Sequence, residues 1–267
     1  MLHTHHASAE SALVSVGLIL AALIYLRGWV RVRRFDREVV GGWRAASFTL
    51  GLLFIWVATA SPLAAFDHDL LTAHMVQHLL LMTLSPPLIL LGVQKIGDTP
   101  VHPAICWFAA AGTLVVWHVP AVFMLGLRSP TWHGIEQASF LATGLLFWWP
   151  VVQPLSNRLR WPEWSILLYL FLATLPCDIL SGFLVFCDRV VYPVFLSSPR
   201  SFGLSALEDQ QCAGALMWTC VTVVYLVAAA VFSARLLSPH RSEERSILQF
   251  EPERSAVRTG PQRMEVV

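Results

Sequence analysis

Seven strongly apolar stretches divide the chain, at residues 12–30, 45–64, 70–92, 103–126, 132–152, 164–186 and 211–236. A hydrocarbon core about 30 Å thick requires roughly 20 apolar residues in helix, and each stretch meets that length. The pattern predicts an all-α polytopic membrane bundle of seven transmembrane helices. A tip at 1–11 precedes the membrane domain at 12–237, and the chain turns polar and charged over 238–267, which reads as a flexible tail. Composition agrees: 56% of residues are hydrophobic, 13% are charged and the mean hydropathy is +0.61, whereas soluble domains carry charge at about 25% of positions.

Orientation follows from arginine. Short loops rich in Lys and Arg stay cytoplasmic. Arg27, Arg31, Arg33, Arg34, Arg37 and Arg44 fill the first connection, Lys95 the third, Arg158 and Arg160 the fifth, and six more arginines the tail; only Arg128, Arg189 and Arg200 fall on the other side. The N-terminus is therefore expected outside and the C-terminus in the cytoplasm. No cleavable signal peptide is expected, because the basic cluster follows the first apolar stretch instead of preceding it.

The third stretch opens Asp67-His68-Asp69 and continues through His74-Met75-Val76-Gln77-His78. Ionisable and metal-binding side chains are costly in hydrocarbon, so residues of this kind at depth point to function. Histidines spaced i, i+4 also share a helix face, the geometry for gripping one metal ion. At 1.5 Å per residue His74 lies roughly 6 Å, and His78 and His118 roughly 12 Å, below the outer surface. The fifth stretch begins outside with His133 and Glu136-Gln137, and the seventh with Asp209-Gln210 ahead of Met217. Four helices thus bring polar or metal-competent groups to the outer half of the membrane, while the inner half is almost featureless.

Each element also has a plainer reading. Single intramembrane histidines serve as interhelical hydrogen bonds, and His118 precedes Pro120, which frees a backbone carbonyl for such a bond. Methionines commonly do no more than pack; Met75, next to His74, points about 100° away from it. Cys187 and Cys212 both fall near the outer surface, where a disulfide persists in an oxidising compartment, but sequence does not pair them.

The chain resembles the multi-spanning CtaG family of cytochrome c oxidase assembly factors. The resemblance rests on Ser61-Pro62-Leu63 with Asp67, on His74 through Gly92 including Ser85-Pro86-Pro87, on Trp117-His118-Val119-Pro120, on Phe147-Trp148-Trp149-Pro150, on Tyr192-Pro193, and on Asp209-Gln210-Gln211 with Gly214, Met217 and Trp218. It implies a multi-pass protein of the bacterial inner membrane that helps build haem-copper oxidases, with copper reaching the catalytic subunit and the oxidase subunits as partners. The family pattern carries onto His74, His78, His118, Glu136, Asp209, Gln210 and Met217. Where the family usually has a histidine after the glutamate of the fifth span, this chain has Gln137. Either His133, one turn away, takes that place or the ligand set is smaller.

Copper chemistry suits these residues: imidazoles bind either oxidation state, and three nitrogens without a tight fourth ligand hold Cu(I) while leaving it transferable. The expected ligands are His74, His78 and His118. Asp67, His68, His133, Glu136, Asp209, Gln210 and Met217 are expected to orient them or to form the entrance, with His3, His5 and His6 available to capture metal first. No nucleophile with a base, no phosphate-binding loop and no soluble catalytic domain is evident, so the chain reads as a non-enzyme with the bilayer and an oxidase, not nucleic acid, as partners. Two other classes remain open: a membrane haem b protein with bis-histidine ligation, and a copper transporter, which would need polar groups through the inner half as well. A retinal protein is excluded by the lack of a buried lysine, since Lys95 is in a loop.

Overall fold

The computed structural model describes residues 2–35, 41–93, 101–153, 162, 164–198 and 203–237, and among these every regular element is helical. The side chains of His3, His5 and His6, and all of Lys95, Arg158, Arg160 and the tail 238–267, lie outside the described residues. In chain order the helices are α1 (Leu2–Phe35), α2 (Gly42–Thr59), α3 (Leu71–His78), α4 (Ser85–Gly92), α5 (Pro103–His118), α6 (Pro120–Arg128), α7 (Pro130–Val152), α8 (Ser165–Phe186) and α9 (Ala206–Leu237). Residues 1–226 form one compact unit; a second begins at Val227, and its described part is the end of α9.

Five segments are long and apolar enough to cross a membrane: Ser11–Arg34, Gly42–Phe66, Leu71–Gly92, Ser165–Phe186 and Ala206–Leu237. The bent pair α5 and α6 makes a sixth if it is one span. The remaining candidate, α7, spends its first turns on His133, Glu136 and Gln137, and that polarity keeps it out of this group.

Two departures from regular helix shape the interior, and proline explains both. The stretch expected to be one helix over 103–126 breaks instead by 78° between His118 and Pro120. A residue before proline is pushed out of the helical region, and Val119 is extended at φ −64°, ψ 125°. The carbonyl of His118, released from the helix, accepts a hydrogen bond from Tyr192 Oη at 2.9 Å. Between α3 and α4, residues Leu79–Leu84 are wound as a π-helix, with the Ser85 N–H reaching back to the Leu80 carbonyl. Pro86 and Pro87 have no N–H, and a proline ring in regular helix collides with the carbonyl four residues earlier. Widening the turn relieves that collision and continues the span.

Helices pack through close approaches and buried polar ties. α3, the π-turn and α4 run through the centre, with α2 along α4 and with α7 against both α4 and the π-turn. The α7 crossing depends on Gly144: a Cβ there would stand 2.7 Å from the Met82 carbonyl oxygen and 2.9 Å from Met82 Cα, and small residues are what allow membrane helices this near. Leu52, Ile55, Ala58, Leu80, Leu81, Trp117 and Phe140 make a core below the polar end. Trp117 donates its indole N–H to Ser139 Oγ at 2.8 Å, tying α5 to α7, and Tyr169 Oη bonds the Phe147 carbonyl at 2.9 Å, tying α8 to α7.

Candidate metal centre

α3 is buried on nearly every face: Leu71, Ala73, His74, Met75, Gln77 and His78 are all buried, and His74 and Met75 are wholly shielded. The start of such a helix leaves backbone N–H groups that must be paired, yet Leu70, at its N-cap, contributes no side-chain bond. Asp209 of α9 supplies it. Its carboxylate accepts from Leu71 N at 2.6 Å and Thr72 N at 3.1 Å, and its carbonyl accepts from Thr72 Oγ1 at 3.1 Å. A carboxylate at this position also suits the helix dipole. Gln210 beside it accepts from Val191 N at 2.7 Å and donates to the carbonyls of Leu184 and Arg189, each at 3.2 Å. Both residues, expected near the ligands, spend their polar atoms on backbone and anchor the elements that carry them.

One turn into α3, His74 and His78 meet Glu136 of α7. The two Nε2 atoms are 2.8 Å apart, and Glu136 Oε1 stands 3.5 Å from that of His74 and 3.3 Å from that of His78. Glu136 is fully buried, and its Oε1 makes no hydrogen bond among the described residues despite those two close nitrogens. An unsatisfied buried acceptor costs about 1–3 kcal/mol. The three atoms define a circle of radius roughly 1.9 Å, close to metal–nitrogen and metal–carboxylate bonds of about 2.0–2.2 Å. A single ion just off their plane would bond all three and relieve the orphaned oxygen.

A second layer sits towards the helix ends. Glu136 Oε2 faces His133 Nδ1 at 3.3 Å, and His133 Nε2 lies 3.0 Å from Asp67 Oδ2 and 2.7 Å from Gln137 Nε2. Asp67, His74 and His133 form a second group whose potential ligand atoms lie within 4.8 Å of one another. His133 is thus brought to the cluster, with Gln137 bracing its ring. Burial by itself would raise the Asp67 carboxyl, but the His133 hydrogen bond, and then the charges of His68, His133 and His74, outweigh it and hold it below the ordinary carboxylate range. His68 reaches Asp67 at 3.7 Å from a largely exposed position. This layer is acidic and histidine-rich where the site meets the surface, an arrangement that raises the local concentration of cations.

The position of Glu136 depends on α6. A Cβ on Gly126 would stand 2.7 Å from Glu136 Oε2, so glycine lets α6 lie over the carboxylate without displacing it. Phe123, one turn earlier, packs edge-on against His74 at 4.8 Å between ring centroids and stacks on Tyr192 at 4.1 Å. Phe140 covers His78 from the other side at 4.1 Å. The cluster's nitrogen and oxygen atoms therefore sit beneath aromatic walls, with polar groups on the Asp67 side.

His118, expected with His74 and His78, is not in the same group. Its ring centroid is 6.0 Å from that of His78, its Nδ1 lies 2.7 Å from the Leu114 carbonyl, and its Nε2 faces Met75 Sδ at 3.4 Å. Glu136 is the third member of the group around His74 and His78. The break before Pro120 stops α5 short of that position, and the α6–α7 crossing delivers the carboxylate to it. Met217 is buried and borders an internal cavity of about 40 Å³ together with His78 and His118. Met75, which helical periodicity turns away from His74, meets His118 instead, because a helix buried all round has contacts on every face. All five cysteines are free, Cys187 and Cys212 included.

A helical membrane protein with a histidine–carboxylate cluster buried near one end of its bundle is the class these observations define. The chain belongs to the cytochrome c oxidase caa3 assembly factor family (Caa3_CtaG), which it matches over residues 23–238. No curated protein and no solved structure matches it.

Proposed function

We propose that this assembly factor crosses the bacterial inner membrane seven times, with α5–α6 counted as one span and α7 as another, its N-terminus outside and its C-terminus in the cytoplasm. In that arrangement its outer half binds copper on His74, His78 and Glu136 and assists delivery of the ion to the oxidase catalytic subunit. The observation that carries the reading is the convergence of two Nε2 atoms and one carboxylate oxygen at 2.8–3.5 Å, with that oxygen left without a hydrogen bond. Imidazole suits copper, and one carboxylate balances the charge of a monovalent ion. Asp67 and His133 form the entrance, Asp209 fixes the start of the ligand helix, and Gly126 leaves room for the carboxylate.

Haem held by His78 is disfavoured by crowding: the His74 ring stands 4.3 Å from the His78 ring between centroids. Phe140 also lies against His78, where a porphyrin edge would have to pass.

The role is tested in cells that lack this chain and carry it back as wild type or as His78→Ala, with a matched count of protein in the membrane. Oxidase purified from the complemented strain should contain copper and haem in full ratio, whereas oxidase from the His78→Ala strain should be copper-deficient with its haem retained. Fully copper-loaded oxidase from the His78→Ala strain would refute a role in copper delivery.

A further inference from the structure

We propose that Met75 and His118 form a second metal site, specific for a soft monovalent ion, Cu(I), and distinct from the His74–His78–Glu136 cluster. It deepens the copper reading above and rests on it.

The argument begins with protons. A carbonyl only accepts, so the 2.7 Å contact between His118 Nδ1 and the Leu114 oxygen places the ring proton on Nδ1. The Nε2 of the neutral ring then presents a lone pair, and what it faces at 3.4 Å is Met75 Sδ, a thioether with lone pairs and no hydrogen to give. Two acceptors point at each other in a buried, apolar setting with no donor between them. A cation resolves that conflict, and an imidazole with a thioether selects Cu(I) over harder ions. The distance agrees: with bonds of about 2.0 Å to nitrogen and 2.3 Å to sulfur, a 3.4 Å separation corresponds to an angle of roughly 100° at the ion.

Three further features fit this use. Metal-bound imidazoles ordinarily donate their second ring N–H to a carbonyl or carboxylate; His118 does so, whereas the Nδ1 atoms of His74 and His78 have no partner among the described residues. His118 also borders the 40 Å³ cavity, whose wall includes His78, Met82, Cys177 and Met217. That volume exceeds the roughly 10–15 Å³ a single water needs, and its lining offers more soft donors. His78 belongs to both places, as a member of the outer cluster and as part of this wall, so an ion can pass from one to the other by ligand exchange. Copper stays Cu(I) throughout, and no electron is transferred.

The experiment loads the full-length, detergent-solubilised protein with Cu(I) from a buffered chelator under reducing conditions. Bound copper per chain and the copper X-ray absorption spectrum are then recorded for wild type, Met75→Leu and Glu136→Gln. Met75→Leu conserves volume, and such exchanges are the best tolerated in a packed interior; a size-exclusion profile unchanged from wild type confirms folding. Wild type should bind two ions with sulfur in the coordination shell, Met75→Leu one ion with the sulfur contribution lost or cut by at least half, and Glu136→Gln one ion with sulfur retained. Copper bound through nitrogen and oxygen alone, or a sulfur signal that Met75→Leu leaves unchanged, would overturn the second site and leave the outer cluster standing. Loss of sulfur-bound copper in Glu136→Gln would also overturn it, by showing one site. No copper in wild type would bring down both.

Discussion

Replacing Gly126 by alanine should shift the carboxylate of Glu136, the proposed ligand, without mutating it. The added methyl would sit 2.7 Å from Glu136 Oε2 and 3.4 Å from its carboxyl carbon, where carbon and oxygen in ordinary contact keep somewhat over 3 Å. The carboxylate is the far end of a flexible side chain, so it yields rather than the backbone, by roughly half an ångström. That is about the tolerance within which a binding constellation must be held. Changes of this kind around a metal site cost about 10–100-fold in affinity, which is about 1.4–2.7 kcal/mol. The fold itself should not suffer, because alanine favours helix over glycine by about 1 kcal/mol. The assay is competition for Cu(I) against a chromophoric chelator. Gly112→Ala serves as the control, since a Cβ there meets nothing within 4 Å. A 10-fold or larger loss of affinity in Gly126→Ala, with Gly112→Ala unchanged, is expected. Equal affinities in both variants would refute the assignment of Glu136 as a ligand, since its oxygens could then shift without consequence.

Asp209→Ala removes the bonds to Leu71 N and Thr72 N. It should lower stability by about 1–2 kcal/mol, as loss of a helix cap does, visible as a reduced Tm at fixed scan rate, with Cu(I) affinity weakened because His74 and His78 lose their anchor; Asp209→Asn should recover part of each. Gly144→Ala forces a methyl onto the Met82 backbone and should destabilise by about 1–3 kcal/mol, the usual cost of overpacking, again read as Tm. Asp67 should make stability depend on acid: with its carboxyl held below the ordinary value by His133, its contribution is complete above that ordinary value and is lost as pH falls through the lower folded value. Asp67→Asn should therefore be less stable than wild type near neutrality and should converge with it in acid, as measured by thermal unfolding across a pH series.

Helix positions were largely legible because the cost of putting polar backbone or charge in hydrocarbon leaves long apolar runs in the sequence. The break at Pro120 and the π-turn before Pro86 were less so: a proline marks where a helix is disturbed, and packing decides whether it kinks slightly or turns through 78°. The spacing of His74 and His78 announced a shared face. The third member of the cluster depended on tertiary geometry, since His118 and Glu136 are both polar residues near the same end of the bundle, and the α6–α7 crossing brings the glutamate to the histidine pair. Gly126 carried no signal until its neighbour was known. Met75 was hidden by helical periodicity, which separates it from His74 but says nothing of a helix surrounded on all sides. Asp209 and Gln210 looked like entrance groups because carboxylates and amides at span ends often are; their targets are backbone groups of other elements, which no local pattern reveals.

The most direct test of the central claim is the copper retained by the purified, detergent-solubilised protein after loading with Cu(I) and washing with a strong chelator, for wild type beside His74→Ala, His78→Ala and Glu136→Gln. Retained copper in wild type that falls by at least one ion per chain in each variant, in protein that elutes as wild type does, is the predicted result. Wild type that emerges free of copper, or variants that keep all of it, would contradict the assignment of this cluster as the copper site.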